Sequence, residues 1–488
     1  MEDSTTTTSF DVVIIGAGMS GINAAYRVQN ETSAGTDYAI LEGRDALGGT
    51  WDLFRYPGLR SDSDMFTFGL PWNPWDRAQS MASGQHIKNY LNEAARKAGI
   101  ASNIRYGHTV TAASWKSERM FWELQVSVAG KDESVVFRAK FVLLGTGYYD
   151  YETPLQAHIP GIENFGGKVI HPQFWPEDYD YSGKNIVIIG SGATAVALLP
   201  SVADKAARVT MLQRSPTYIL SLWDTHFIIS FLFAVLPKSV ASSILRFVFL
   251  LGSVLSNLVC ELSPGLAKLF IKAVTLWQLP PEIKWDPHFK PRYNPWEQRF
   301  CACKNGDFYA ALRSGKADVV TDRIKEITKD SIELESGASL HPDVIVTATG
   351  LKLKFGGGIR FSIDGQPYKL NEKFAWKAVM VQDVPNVFFL TGFQNASWTL
   401  GADISVRIFV RLRHLTERRN ARAVVPRVPD EKAMKEEPMM SLSSTYVKPI
   451  RQVFPKAGRG IWAPKSNYYL DMFRAKRGDV TTDLEFLL

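Results

Sequence analysis

The sequence predicts an α/β chain with two nucleotide-turn units, the second carrying a helical insertion. Three observations predict it. A short apolar run, Asp11 to Ile15, enters Gly16-x-Gly18-x-x-Gly21. A second, Ile186 to Ile189, enters Gly190-x-Gly192-x-x-Ala195. The most apolar part of the chain, Tyr218 to Trp277, follows the second unit. A chain of 488 residues is too long for one ordinary core, so two or three domains are expected. The expected divisions are 1–150 for the first part of one unit, 151–340 for the other with its insertion at about 218–290, and 341–488 for the second part of the first unit and a C-terminal extension.

In the first unit, Asp11–Ile15 reads as a buried parallel strand, a helix follows through Ile22 to Val28, and Asp37–Leu41 is the second strand. Gly16 permits the tight turn, Gly18 lets the backbone approach a pyrophosphate, and Gly21 lets helix and strand pack closely. Ser20 lies within the same turn. Glu42 stands about 20 residues on, where a carboxylate accepts hydrogen bonds from ribose hydroxyls. The order of strand, turn, helix, strand and acid makes this a Rossmann-like unit, which a lone glycine pattern would not.

The segment Gly48 to Met65 reads as a loop dense in Gly, Arg, Asp and aromatics. Gln85–Ala98 has Ile87, Tyr90, Leu91, Ala94 and Ala95 at helical spacing, with His86 a solvated residue at the helix start. Alternating segments from Ile104 to Phe141 predict a small antiparallel meander, and Phe141–Leu144 a buried strand ending in Gly145-Thr146-Gly147.

The second unit repeats the logic with Ala195 in the third position, and Ser191, Ala193, Thr194 and Val196 complete its turn and helix start. Its second strand, Arg208–Leu212, ends at Gln213-Arg214-Ser215. Arg214 stands where the first unit has Glu42. An acid repels a 2′-phosphate, whereas a guanidinium pairs with it bidentately. The first unit is therefore read as the FAD site and the second as the NADPH site.

Between the two units runs Phe165-x-Gly167-x-x-x-His171-x-x-x-Trp175-Pro176. This resembles the fingerprint of class B flavoprotein monooxygenases, the Baeyer–Villiger monooxygenases and their flavin-containing monooxygenase relatives. The run Gly48-Gly49-Thr50-Trp51-Asp52 to Arg60-Ser61-Asp62 resembles a segment of the same family, especially its ethionamide-activating and long-chain ketone or alkane branch. The resemblance implies that Thr50, Trp51, Asp52 and Leu53 line the FAD. It implies that Arg60, Ser61 and Asp62 sit where nicotinamide meets flavin, and that Val110 contacts the adenine side. It places a catalytic arginine just before the last strand of the second unit. Alignment on Gly315–Asp322 puts Arg299 there, with Arg292 the rival and Asp62 its orienting acid. His171 is read as a linker residue that couples domain motion to the flavin. Phe393–Leu400 is expected on the flavin or substrate side.

Asp343–Gly350 reads as a strand ending in Ala-Thr-Gly, Gly356–Gly358 as a flexible turn, Pro385–Gly392 as the last strand and Ser405–Leu415 as a helix. Pro429–Ser444 reads as a charged connector and the C-terminal part as peripheral. In the insertion, the uncharged runs 227–236 and 247–260 each fall short of the roughly 20 residues that span a bilayer. Pro237, Lys238 and Arg246 interrupt them. A substrate tunnel packed over the site is the first reading and peripheral membrane contact through 227–260 the second, with a membrane span disfavoured.

Composition narrows the class. Hydrophobic residues are 45% and charged residues 22%, the balance of a soluble globular protein. The net charge of +7 favours phosphorylated cofactors or an anionic surface. No basic stripe with interleaved aromatics suggests nucleic acid, and Arg411–Arg422 reads as a solvated helix face. Three cysteines, Cys260, Cys301 and Cys303, form neither a disulfide framework nor a zinc site nor a C-x-x-C redox pair, so no metal is expected. Met1–Ser9 has no basic and apolar signal regions, so a cytoplasmic protein is expected, with peripheral membrane association as the second reading.

The expected function is FAD- and NADPH-dependent insertion of one oxygen of dioxygen into a lipophilic ketone through a flavin C4a-peroxide. Sulfur or nitrogen oxygenation, or terminal alkane hydroxylation, is the alternative, and a non-catalytic, membrane-docked dinucleotide-binding protein the remote one. Oligomeric state is not legible in the sequence.

Overall fold

The computed structural model describes residues 8–440, 444, 447 and 449–488; most of the Thr-rich start and part of the expected 429–444 connector lie outside the described residues. The chain opens with β1 (Thr8–Ile15), α1 (Met19–Glu31) and β2 (Tyr38–Leu41). The expected loop 48–65 contains one short helix, α2 (Thr50–Leu53), and ends at another, α3 (Met65–Phe68). In α4 (Gly84–Lys97) all five expected apolar positions are buried, Ser83 caps the start by accepting from the His86 N–H, and Arg96 and Lys97 face the negative end of the helix dipole. His86 is exposed, as its position at the helix start predicts.

Strands β3 (Ile104–Arg105), β4 (His108–Lys116), β5 (Phe121–Val128) and β6 (Val135–Leu144) follow. β4, β5 and β6 form the expected antiparallel meander. The meander and the expected separate strand at 141–144 prove to be continuous. β6 runs on beside β1 in parallel, from Phe137 opposite Thr8 to Leu144 opposite Ile15. Its alternation gives way to continuous burial where it passes into the middle of the sheet.

The second unit holds β7 (Lys168–Ile170), β8 (Asn185–Ile189), α5 (Ala193–Ala203), β9 (Arg208–Gln213) and β10 (Ile219–Leu222). Four helices come next: α6 (Phe227–Val235), α7 (Lys238–Leu262), α8 (Pro264–Gln278) and the short α9 (Trp285–His288). Then β11 (Cys301–Lys304), α10 (Asp307–Arg313), β12 (Ala317–Thr321), the small strands β13 (Ile324–Ile327), β14 (Ile332–Leu334) and β15 (Ser339–Leu340), and β16 (Val344–Thr347) complete it. Five strands form a parallel sheet in the order β12-β9-β8-β16-β7. Both neighbours of β16 belong to the second unit, so the chain leaves that unit after Thr347. A division at 341 would cut this strand from its sheet.

The insertion departs from expectation in part. Pro237 separates the two apolar runs as expected, the first forming α6, but Arg246 does not interrupt: the run 247–260 lies inside α7, one continuous helix of 25 residues, apolar and long enough to cross a membrane by length and composition. Arg246 does not end it, because its guanidinium folds off the helix to donate to the Phe66 and Gly69 carbonyls at 2.8 and 3.1 Å. Pro237 precedes α7 and Pro264 opens α8, positions where the missing N–H costs nothing.

The return segment contributes β17 (Arg360–Ile363), β18 (Gln366–Tyr368), β19 (Ala375–Trp376), β20 (Met380–Val381) and β21 (Val387–Phe389). β17 pairs with β4 and β21 with β6, so the first unit is a nine-stranded sheet built from both ends of the chain. The helix expected at Ser405–Leu415 is longer, α11 (Trp398–Arg418), and is followed by β22 (Ala423–Pro426), α12 (Ile450–Val453), α13 (Tyr468–Arg477) and β23 (Leu484–Leu487). The C-terminal part is not peripheral: β23 pairs antiparallel with β22, and Trp462 is fully buried. Arg411–Arg422 is a solvated face only in its second half, where Arg418, Arg419 and Arg422 are exposed. Arg411 donates to the Ala475 and Gly478 carbonyls at the end of α13, both at 2.9 Å, and Arg413 lies over the Phe141 ring. Those carbonyls are the ones a helix C-terminus leaves without partners.

Candidate active site

Both glycine turns are built the same way. Gly16 has φ +102°, and a Cβ there would lie 2.7 Å from the Gly145 carbonyl oxygen. Gly190 has φ +133°, and a Cβ there would lie 2.2 Å from the Ala348 carbonyl oxygen. In each unit the turn after the first strand crosses the end of a neighbouring strand too closely for any side chain. The Gly145-Thr146-Gly147 and Ala348-Thr349-Gly350 runs are the partners of these crossings.

The two turns open into one cavity of about 2310 Å³. From the first unit it is lined by Gly16, Gly18, Ser20, Glu42 and Val110, and by Thr50, Trp51, Arg60, Ser61 and Asp62 of the following segment. From the second it is lined by Gly190, Ser191, Gly192, Ala193, Thr194, Arg214 and Arg299. The Glu42 carboxylate accepts from the Ala17 and Arg44 backbone N–H groups at 2.6 and 3.0 Å, while burial pushes its carboxyl group up. It is thus held at the rim of the first turn, facing the space a ribose needs. The residues present fit a dinucleotide in each unit: free backbone at the start of a helix, a fixed acid in the first and a cation in the second.

Other expected residues do not reach the cavity. Gly21, Ala195 and Val196 are buried beneath the turns in helix-to-strand packing. Leu53 lies on the side of α2 away from the cavity lining. Asp52 is buried and binds Lys88 at 2.5 Å, Arg44 at 2.6 Å and Arg55 at 3.3 Å, so it anchors α2 rather than a cofactor. Gln213 spends its amide on the His288 carbonyl (2.7 Å) and the Thr321 hydroxyl (2.9 Å). Arg292 is exposed and outside the lining, and the segment joining it to Arg299 is not helical.

The fingerprint residues Phe165, Gly167, His171, Trp175 and Pro176 also lie outside the lining, in the connection around β7. His171 caps the turn Pro172–Phe174 by accepting from the Gln173 N–H at 3.2 Å, and burial lowers its pKa. The Gln173 amide in turn donates to the Asp150 carbonyl at 2.7 Å, where the chain leaves the first unit. This geometry suits a structural linker.

A polar cluster joins the units on the cavity wall. Arg60 pairs with Asp307 of α10 and donates to the Ala302 carbonyl at 3.3 Å. Asp62 accepts from the Ala302 N–H at 3.2 Å. Desolvation deep in the cleft pushes the Asp62 carboxyl up to about 6, against the opposing pull of that N–H and of the Arg60 and Arg299 charges. Cys301 and Cys303 flank this cluster on β11; both thiols are pushed up by burial, Cys303 to about 12, which fits the expected structural role.

Several lining tyrosines escaped sequence reading. Tyr56 reaches Thr194 of the second turn, and Tyr151 meets the Thr50 hydroxyl at 3.0 Å; burial pushes both phenols up to about 12. Tyr148 stacks on Trp398 at 4.6 Å, and Trp398 donates from Nε1 to the Ser20 hydroxyl at 3.2 Å. The Trp398 signal was present in the 393–400 segment; single tyrosines in loops carried none. The far end of the cavity is apolar and walled by α7 and α8, including Val248, Leu255, Val259, Leu266 and Phe270.

Two nucleotide turns on one cavity, with a charged cluster between them and an apolar extension, define a two-dinucleotide oxidoreductase. Residues 71–261 match the flavin-binding monooxygenase-like family and residues 14–83 an NAD(P)-binding Rossmann-like domain. The chain is 42% identical over 468 residues to the FAD-containing monooxygenase EthA of Mycolicibacterium smegmatis, covering 96% of this chain and 94% of that one. It is 39% identical to the probable FAD-binding monooxygenase AlmA of Acinetobacter baylyi, covering 94% and 92%. A solved steroid monooxygenase bound to NADP shares the fold, with TM-score 0.76 at 19% identity over 98% of this chain and all of that one. The chain belongs to the flavin-binding monooxygenase family and is a flavin-dependent monooxygenase.

Proposed function

We propose that the protein inserts one oxygen atom of dioxygen into a lipophilic ketone, giving an ester or lactone, with FAD in the first unit and NADPH in the second. The observation that carries the reading is the placing of Arg299, Arg60 and Asp62 on a wall shared by both turns, with the apolar α7–α8 extension beyond it. Bound together, the two cofactors supply hydride transfer and the activation of dioxygen.

The chain's own residues do the rest. Glu42 accepts from ribose hydroxyls, and Arg214 pairs with a 2′-phosphate. The N–H groups at the starts of α1 and α5 face the pyrophosphates. Arg299 stabilises negative charge on the transferring oxygen by charge-assisted hydrogen bonds, with Asp62 beside it as a positioning acid. The apolar walls exclude water and hold the ketone. The fingerprint around His171 links movement of one unit to the other. The same reading makes this a cytoplasmic enzyme with peripheral membrane contact through 227–260.

A second reading, oxygen transfer to sulfur or nitrogen or to a terminal alkane carbon, is favoured by the Gly48–Met65 segment, which resembles that of the ethionamide-activating and long-chain ketone or alkane branch. The test uses wild type and Arg299→Ala with NADPH, isotopically labelled dioxygen and either 2-dodecanone or a dialkyl sulfide. The ketone reading expects labelled ester from wild type and NADPH consumption without ester from the variant. Sulfoxide without ester from wild type would replace it by the second reading. Ester formation undiminished in the variant would remove Arg299 from the chemistry.

A further inference from the structure

Resting on the reading of a lipophilic substrate, we propose that α6–α8 form a lipid-docking surface and that the cavity opens through it, so that substrate enters from an anionic bilayer rather than from water.

Three observations carry this. First, α7 holds a long apolar window of which only 17% is buried, and large side chains point outward from all three helices. Leu262 is 73% exposed and Trp277 80% exposed. A stable monomer rarely leaves so continuous an apolar face in water.

Second, the face is also the mouth of the cavity. Val248, Leu255, Val259, Leu266 and Phe270 line the cavity, and on the same two helices Phe247, Leu262 and Leu269, outside that lining, carry the exposed apolar face beside them. An apolar molecule crossing between α7 and α8 would meet apolar atoms throughout, with no aqueous step.

Third, the charges match an anionic surface. Between 227 and 278 stand Lys238, Arg246, Lys268 and Lys272 against the single acid Glu261. Arg246 is folded inward onto carbonyls, Lys238 pairs with Asp76 and the Lys272 ammonium lies over the Trp285 ring at 4.4 Å, so Lys268 and Lys272 are the cations that α8 keeps at the edge of the apolar face. Basic residues at the edge of an apolar helical face are the composition that lies in the interface of anionic lipid.

The helix lies along the bilayer and does not cross it. Ser242 donates to the Trp75 carbonyl at 2.7 Å, Arg246 to the Phe66 and Gly69 carbonyls, and Asn257 to the Asn395 carbonyl at 3.1 Å. These anchors span about 22 Å of helix. A transmembrane placement would tear all of them from the body of the protein.

The test is flotation of the FAD-loaded enzyme with vesicles of phosphatidylcholine alone and with equimolar phosphatidylglycerol. The variants are Phe247→Asp/Leu262→Asp/Trp277→Asp, which lies outside the cavity lining, and Lys268→Glu/Lys272→Glu. Wild type should float with the anionic vesicles. Each variant should bind them at least about tenfold more weakly. The variants should keep wild-type turnover of water-soluble 2-butanone and lose turnover of 2-dodecanone held in vesicles. Wild type that stays with the aqueous fraction overturns the proposal. So does sedimentation showing wild type as a dimer and the triple variant as a monomer without vesicle binding, which would make the face a contact between copies. Vesicle binding without turnover of any ketone would strike the proposed reaction and spare the docking surface.

Discussion

Arg60 closes on Asp307 across 247 residues of sequence, its second nitrogen 3.3 Å from the carboxylate, and so ties the segment after the first turn to α10 of the second unit. The guanidinium is almost fully buried and its Nε is buried without a partner in the protein, so the Asp307 carboxylate and the Ala302 carbonyl are what hold it in place on the cavity wall. Asp307→Asn should therefore slow reduction of bound FAD by NADPH about 10- to 100-fold, the worth of one charged hydrogen bond. FAD content should not change, because Glu42 and the first turn are untouched. Asp307→Glu should restore part of the rate. Unchanged reduction in Asp307→Asn would make the pair a strut and nothing more.

Asp62 should impose a pH dependence near 6. Its folded pKa is raised, so between the ordinary carboxylate value of about 4 and about 6 the folded state holds the proton more tightly than the unfolded state. Stability from this group is present at low pH and declines as pH rises through that window. The thermal midpoint of wild type relative to Asp62→Asn should fall between pH 4 and 6.5 and stay level above it. The same inflection should appear in NADPH oxidation by wild type and vanish in the variant. A flat difference across the window would show that the acid is ionised throughout.

Arg214 lines the cavity at the end of β9, one residue beyond the buried Gln213. Arg214→Ala should raise KM for NADPH about tenfold or more and leave KM for NADH nearly unchanged, because only the former carries the 2′-phosphate with which the guanidinium is proposed to pair. Equal losses for both coenzymes would point to a damaged turn.

The two parts of the first unit are pinned at Asp403. Its carboxylate accepts from Asn23 at 3.1 Å and Arg27 at 2.5 Å on α1, and from Arg407 at 2.9 Å. Burial opposes its ionisation, but the Arg27 and Arg407 charges outweigh it and hold the carboxyl below the usual range. Asp403→Asn leaves Arg27 buried without its anion, and removing one partner of such a pair costs about 3–5 kcal/mol. The variant should unfold earlier in urea at pH 7. The difference should shrink as pH falls below about 4, where the unfolded chain takes up the proton first, and should be lost once pH passes the lowered folded value. A difference that persists undiminished at pH 3 would assign the effect to packing.

Much of this was legible in the residues. Hydrophobic runs followed by glycine turns marked both units, because a parallel strand buried on two faces must be apolar and a turn crossing a neighbouring carbonyl must lack a Cβ. Glu42 and Arg214 were legible because each stands at the end of a second strand, where the fold delivers a side chain to the ribose. Position within a turn was less informative. Thr50 and Trp51 face the cavity while Asp52 turns away to three cations, and the sequence of α2 alone does not say which way the helix is rotated.

By itself, then, the sequence determined the two nucleotide units, their order and the charge each offers its cofactor. These are local properties, written in stretches of about 30 residues. The tertiary structure decided which residues share a wall. Arg60 with Asp307, Asp62 with Ala302, and β21 beside β6 each join positions more than 200 residues apart. It also decided that α7 is one helix. Arg246 reads as an interruption until the Phe66 and Gly69 carbonyls come within its reach, and only the folded chain places them there.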